Sequence, residues 1–120
     1  MTRAEIEALE GRALDAAVAR GVFGFAGIYY VNPDLPETLV YTSVTDGIRH
    51  AMPRYHSEWA AMEYVIGEMK RRYRADYVIE GTCDGWCRAK FLIPHATWTN
   101  GAYVCVPTAV CRAALLALVR

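Results

Sequence analysis

The C-terminal stretch constrains the fold more than any other part of the chain: from Ala109 to Val119 it carries a single charge, Arg112. A helix that is apolar on every side has no face to offer water, so other elements must enclose it. Pro107 suits the first position of that helix, where its missing N–H would have had no partner anyway. The longest apolar run, Ala113 to Val119, is far too short to cross a bilayer. The rest of the chain must therefore build walls around a buried helix, and 120 residues suffice for one domain, spanning 1–120, with one core.

Other segments are readable from period and capping. Thr2 and Glu5 form a Thr-x-x-Glu capping box, and Ile6, Leu9, Leu14, Ala17 and Val18 supply the apolar stripe of a first helix. Gly11 interrupts that helix and Gly21 stops it. Ile28–Val31 and Thr38–Thr42 are rich in aromatic and β-branched side chains and read as short strands. Asn32-Pro33-Asp34-Leu35-Pro36 between them is turn chemistry. Residues 22–52 form a long connection for so small a domain, which marks a functional, mobile or interfacial segment.

Ser57 is placed to cap a central helix running to about Tyr73, with Trp59, Met62, Ile66, Met69 and Tyr73 as its apolar positions and Glu68 paired with Arg72 on the outer face. The basic end, Lys70 to Arg74, suits the negative pole of the helix dipole. A hairpin follows, Tyr77–Cys83 and Cys87–Ile93 around Asp84-Gly85-Trp86. A three-residue loop pairs Glu80 with Lys90 and Thr82 with Arg88 on one face, and gathers Tyr77, Ile79, Cys83, Cys87, Ala89, Phe91 and Ile93 on the other. Asn100-Gly101 marks a second hairpin that sets Trp98 opposite Tyr103. The sum is an α+β domain with N-terminal, central and C-terminal helices on a mainly antiparallel sheet.

Four blocks resemble a known family, the phage ABA sandwich domain. They are Gly11-Arg12-Ala13-Leu14-Asp15-Ala16-Ala17-Val18-Ala19, Pro53-Arg54-Tyr55-His56-Ser57, Asp84-Gly85-Trp86, and Thr108-Ala109-Val110-Cys111-Arg112-Ala113-Ala114-Leu115-Leu116-Ala117-Leu118. They lie in order along almost the whole chain. The resemblance implies a three-layer α-β-α sandwich and a phage or prophage protein working in the cytoplasm of an infected or lysogenic bacterial cell. It implies no reaction. The chain departs from the family pattern in a longer segment at 22–52 and in His56, where serine is usual.

Composition narrows the function. Thirteen basic and thirteen acidic residues leave a formal charge of zero, which removes the electrostatic footprint of a general nucleic-acid binder and offers little to oppose a homo-oligomer. The N-terminus lacks the basic and apolar regions of a secretion signal, so an intracellular chain with four mostly reduced cysteines is expected. The cysteine and histidine spacings do not match structural zinc sites, and no metal or cofactor is expected. No nucleophile elbow, phosphate-binding loop or dinucleotide fingerprint is present. Enzyme activity is therefore not expected; the catalytic alternative is a cysteine hydrolase using Cys83 or Cys87.

Ligand binding has more material in a chain with eight tyrosines and three tryptophans. Trp86 at a hairpin tip, with Arg88 and Lys90 on the adjoining strand and Tyr103 on the next hairpin, suits stacking of a base beside a neutralised phosphate. Thr108 opens a helix whose free amides suit an anion, and Arg54, Tyr55 and His56 precede another helix start. The plain alternative is that the rings fill core and that Arg88 and Lys90 merely pair across the hairpin. The leading expectation is a protein that sequesters a small anionic or nucleotide ligand, such as a nucleotide immune signal. The other is a protein-interaction module that presents Phe23, Phe25, Tyr29, Tyr30 and Tyr41.

Overall fold

The computed structural model describes residues 1–43, 45–81, 87–93 and 105–119. In chain order these form helices α1 (Arg3–Ala8) and α2 (Gly11–Gly21), strands β1 (Ala26–Tyr30), β2 (Leu39–Thr42) and β3 (Arg49–Ala51), helix α3 (Trp59–Tyr73), strands β4 (Asp76–Gly81) and β5 (Cys87–Leu92), and helix α4 (Val106–Leu118). The strands make two antiparallel sheets, β1-β2-β3 and β4-β5. The result is the α+β sandwich expected from the sequence.

α4 is the enclosed helix. Every residue from Ala109 to Ala117 is buried, and α1, α2, α3 and β5 all pack on it. Burial of a Leu or Val side chain contributes roughly 1.5–3 kcal/mol. The one charge on α4 is also buried, and it is satisfied: Arg112 Nη2 and Nε donate to the Leu9 carbonyl at 2.9 and 3.3 Å. That carbonyl sits at the open end of α1, so the arginine closes one helix from the middle of another. Among the described residues no helix is long and apolar enough to cross a membrane.

The N-terminal segment holds its capping box, with Thr2 Oγ1 accepting from the Glu5 amide and Glu5 Oε1 from the Thr2 amide. It is two helices and not one. Leu9 and Glu10 are extended and Gly11 is left-handed at φ +54°, a turn that costs glycine nothing. Separation lets Ile6 and Leu14 both reach the core.

Residues 22–52, hard to read as sequence, form the three-stranded sheet. β1 and β2 are the two expected strands within a residue or two of their expected limits, joined by the expected turn, where Asn32 Oδ1 accepts from the Asp34 amide. β3 is an addition, too short and too polar to show as a strand, and it adds to β2 through pairs Val40–Ala51, Tyr41–His50 and Thr42–Arg49. A bulge in β1 shifts register between Ala26–Thr42 and Tyr29–Val40, with Gly27 at φ +61°.

Three further expectations are corrected. Ser57 does not cap α3: the Ser57 and Glu58 amides both bond the Arg54 carbonyl, which wraps Ser57 into a turn, so α3 starts after Glu58. Trp59 is 60% exposed, and the buried stripe is Ala61, Met62, Val65 and Met69, the arc of α3 turned to the core and α4. Glu68 pairs with Arg71, while Arg72 donates to the Val22 carbonyl at 3.0 Å and closes the end of α2.

The β4–β5 hairpin pairs Glu80 with Arg88 and Val78 with Lys90, two residues out from the expected register. A shift of two keeps every side chain on its face. Cys87, Ala89 and Phe91 therefore lie buried beneath α4 as expected, with Glu80, Arg88 and Lys90 opposite. Thr82, Cys83, Asp84-Gly85-Trp86 and the Trp98–Tyr103 hairpin lie outside the described residues.

The bulge gives a direct test. A Cβ on Gly27 would stand 3.0 Å from Thr42 Oγ1 and 3.1 Å from its Cβ, in a left-handed backbone, whereas one on Gly11 meets nothing within 4 Å. Gly27→Ala is expected to cost about 1–3 kcal/mol, against about 1 kcal/mol for Gly11→Ala, measured by urea unfolding.

Candidate functional site

The polar centre of the molecule grows from one turn of α2. Arg12 and Asp15 point inward together, and Asp15 is 0% exposed. Arg12 Nη1 donates to Asp15 Oδ2 at 2.7 Å. Its remaining donors reach backbone carbonyls: Nε to Pro36 at 3.1 Å, Nη2 to Met52 at 3.0 Å, and Nη1 to Pro53 at 3.3 Å. A fixed guanidinium fork suits this use, because it can satisfy several acceptors in different directions at once.

Asp15 spends its other capacity on His56. Oδ1 accepts from the His56 amide at 2.9 Å, and both carboxylate oxygens lie 2.9 Å from Nδ1. An ionised carboxylate only accepts, so Nδ1 carries the proton and the outward nitrogen is Nε2. The His56 side chain is 19% exposed, and among the described residues Nε2 has no protein partner. A buried acid thus holds one imidazole by its back edge and leaves the front edge at the surface.

The same residue is stitched to the start of α4. Thr108 Oγ1 donates to the His56 carbonyl at 2.7 Å and Cys105 Sγ lies 3.3 Å from it. Cys105 Sγ and Thr108 Oγ1 are 3.1 Å apart. Behind them Cys111 Sγ donates to the Tyr55 carbonyl at 3.2 Å. Cys105 occupies the N-cap position of α4, is exposed, and makes no side-chain bond to the first-turn amides. Pro107 has no N–H, so Val106 and Thr108 supply the free amides at the positive end of the helix dipole.

The expected site residues divide between places. His56 and Thr108 come together. Arg54 lies beside them in sequence but at the surface, 4.0 Å from Glu58. Tyr55 does not present its ring: it is 2% exposed and stacks on Phe23 at 5.2 Å, because the turn that exposes His56 directs its neighbour inward. Arg88 and Lys90 stand on the face of the β4–β5 hairpin that turns away from α4, and Arg88 Nε bonds Glu80 at 2.8 Å. Trp86 and Tyr103 lie outside the described residues. Of the rings considered as protein-facing anchors, Phe23, Phe25 and Tyr41 stack in a ladder that ends on His50, while Tyr29 and Tyr30 are exposed.

Sequence reasoning missed Arg12, Asp15 and Cys105. The first two carried a signal: an acid flanked by Leu14, Ala17 and Val18 falls on the buried arc of its helix and needs a partner there. Cys105 carried none.

Burial sets the titration of two core groups. It pushes the Tyr55 phenol and the Cys111 thiol well above their ordinary ranges, with the Asp15 charge adding to both, and it raises the Cys87 thiol too.

No protein-family model matches the chain, and no curated protein matches it. Among solved structures, the chain is similar to a phage protein from Bacillus cereus ATCC 14579, at 18% identity and a TM-score of 0.66, covering 92% of this chain and 93% of that one. At that identity the likeness establishes a shared fold, one found in a phage protein.

Two outcomes follow from the buried network. Asp15→Ala leaves Arg12 charged in the core without its counter-ion and is expected to cost about 3–5 kcal/mol in urea unfolding, far more than Arg54→Ala at the exposed pair, about 0–1 kcal/mol. In alkali the unfolded chain releases its thiol and phenol protons at about pH 8.5 and about pH 10. The folded state holds those of Cys111 and Tyr55, since their folded values are raised. The stability these groups contribute is therefore complete below about pH 8.5 and is lost as pH climbs beyond it, so the urea midpoint should fall progressively between about pH 8.5 and pH 10.5.

Proposed function

We propose that this chain is a phage accessory protein of the ABA sandwich type that binds and sequesters a small anionic ligand, a nucleotide immune signal being the class that fits best. The observation that carries the reading is the fully buried Asp15 holding the imidazole of His56, the residue whose carbonyl receives Thr108 Oγ1 at the start of α4. An anion there meets Nε2 of His56, the free amides of Val106 and Thr108, and the favourable end of the helix dipole. These groups are oriented before any ligand arrives, which removes much of the ordering cost of binding. A phosphate is the natural match in size and charge, and the aromatic-rich composition favours a phosphate that carries a base. The fold shared with a Bacillus cereus phage protein supports the phage setting. With zero formal charge the chain offers little to oppose pairing, so a homo-oligomer belongs to the same proposal.

The test is thermal unfolding of the purified protein with a panel of cyclic di- and trinucleotides, cyclic ADP-ribose isomers and inorganic phosphate. A ligand present at a hundredfold excess over Kd should raise the melting temperature by about 10 °C, and His56→Ala should abolish the rise. A flat response across the panel overturns the reading. The exposed Tyr29 and Tyr30 on edge strand β1 would then be the better candidate for a working face, one directed at another protein.

A further inference from the structure

The geometry points to a second binding site, at the C-terminal end of α4: a pocket between three helices that takes a medium-length aliphatic carboxylate, with the chain inside and the acid group on Arg20. It shares no residue with the site proposed above. A helix rises about 1.5 Å per residue, so Thr108 and Leu118 stand about 15 Å apart along α4 and mark two separate places.

The pocket has a volume of about 460 Å³ and lies where α1, α2 and α4 meet. Close-packed interiors leave few voids larger than a water molecule, whereas small-ligand sites run to roughly 300–1,000 Å³. Its walls include Ile6 of α1, Ala17 and Gly21 of α2, and Leu115 and Leu118 of α4. Ile6, Ala17 and Leu115 are buried members of the apolar core, so the pocket cuts into the core itself. Small residues make the room. Ala17 and Gly21 are four apart and share one side of α2, and a Cβ on Gly21 would already stand 3.1 Å from Leu115 Cδ2.

The charge in the pocket wall is Arg20. It is exposed, and among the described residues it has neither a hydrogen bond nor an ion pair, whereas Arg3, Arg12 and Arg71 each hold a carboxylate. It is not needed to close its own helix, because Arg72 already donates to the Val22 carbonyl at the end of α2. An open guanidinium beside an apolar cavity complements a molecule with one anionic end and one apolar end. A carboxylate matches the planar fork with two parallel bonds, and an aliphatic chain takes the apolar walls out of water. A bare phosphate would leave those walls wet, and a hydrocarbon would leave the guanidinium unmatched.

The test titrates the full chain with hexanoate, octanoate and decanoate by calorimetry, with octanol as the neutral control, and locates bound decanoate by methyl NMR. Affinity should rise roughly fourfold for each added methylene, and the methyl signals of Ile6, Leu115 and Leu118 should move. Arg20→Gln, at an exposed position, should weaken octanoate roughly tenfold and leave octanol unchanged. Ala17→Met, which fills the pocket, should abolish binding of both; if that variant does not fold, the Arg20→Gln comparison decides alone. No binding of decanoate, shifts confined to other methyl groups, or equal loss of octanoate and octanol in Arg20→Gln overturns the proposal. Association with phosphatidylglycerol vesicles in the absence of decanoate binding also overturns it, assigning this face to a membrane surface. His56→Ala should bind decanoate as the wild type does, so that this site and the nucleotide site stand or fall separately.

Discussion

Everything distinctive in this fold depends on a buried ion pair, Arg12 with Asp15. Charges removed from water must find partners, and each of these finds several: a carboxylate and three carbonyls for the guanidinium, and a guanidinium, an imidazole and an amide for the carboxylate. Because the partners come from Pro36, Met52, Pro53 and His56, the pair ties the ends of an otherwise loosely specified segment to α2. The three-stranded sheet is thereby anchored at both ends, by Leu39 and Met52 in the apolar core and by the carbonyls of Pro36, Met52 and Pro53 on Arg12.

The second constraint is α4. A helix with no polar face has to be walled in on all sides, and the wall is assembled from elements far apart in sequence. Its buried Arg112 and buried Cys111 each bond a backbone carbonyl on a different neighbour, Leu9 and Tyr55. Polar groups inside the helix thus fix how the walls sit, where apolar contacts alone would permit sliding. One consequence is that only the two ends of α4 can meet solvent, and the N-terminal end is where the His56 turn arrives.

What could be read from sequence was local. The Thr2–Glu5 cap, the Asn32–Pro36 turn, the start of α4 near Pro107 and the two faces of the β4–β5 hairpin each follow from residues adjacent or one pleat apart. The hairpin shows where that reasoning stops: alternation determines which face a residue takes, but a slip of two residues changes no face, so Glu80 pairs with Arg88 instead of Lys90. Ser57 fails as a cap because its own amide and that of Glu58 bond the Arg54 carbonyl, a turn that carries the chain one residue further before α3 begins. The site was legible only in part. His56 and Thr108 stood out as a departure from a resemblance and a helix start, but Arg12 and Asp15 act across a sequence separation of 41 residues, which no period or spacing reveals.

The Arg12–Asp15–His56 arrangement is hard to explain as a device for stability alone. Replacing a buried ion pair by apolar residues of similar volume is often neutral or stabilising, so a pair that merely filled space could be exchanged for leucines at no loss. The carbonyl contacts of Arg12 account for one half of the arrangement, because anchoring the 36–53 segment is a structural task. They do not account for the other half. Asp15 uses both oxygens on a residue whose ring lies toward the surface, and a backbone amide bond alone would have sufficed to pin that turn. Gripping the imidazole as well adds no further connection between elements; it restricts the ring to one rotamer and one tautomer. A side chain so restricted, on a residue whose carbonyl is bonded to the start of α4, is the pre-oriented group that the proposed ligand-binding role requires.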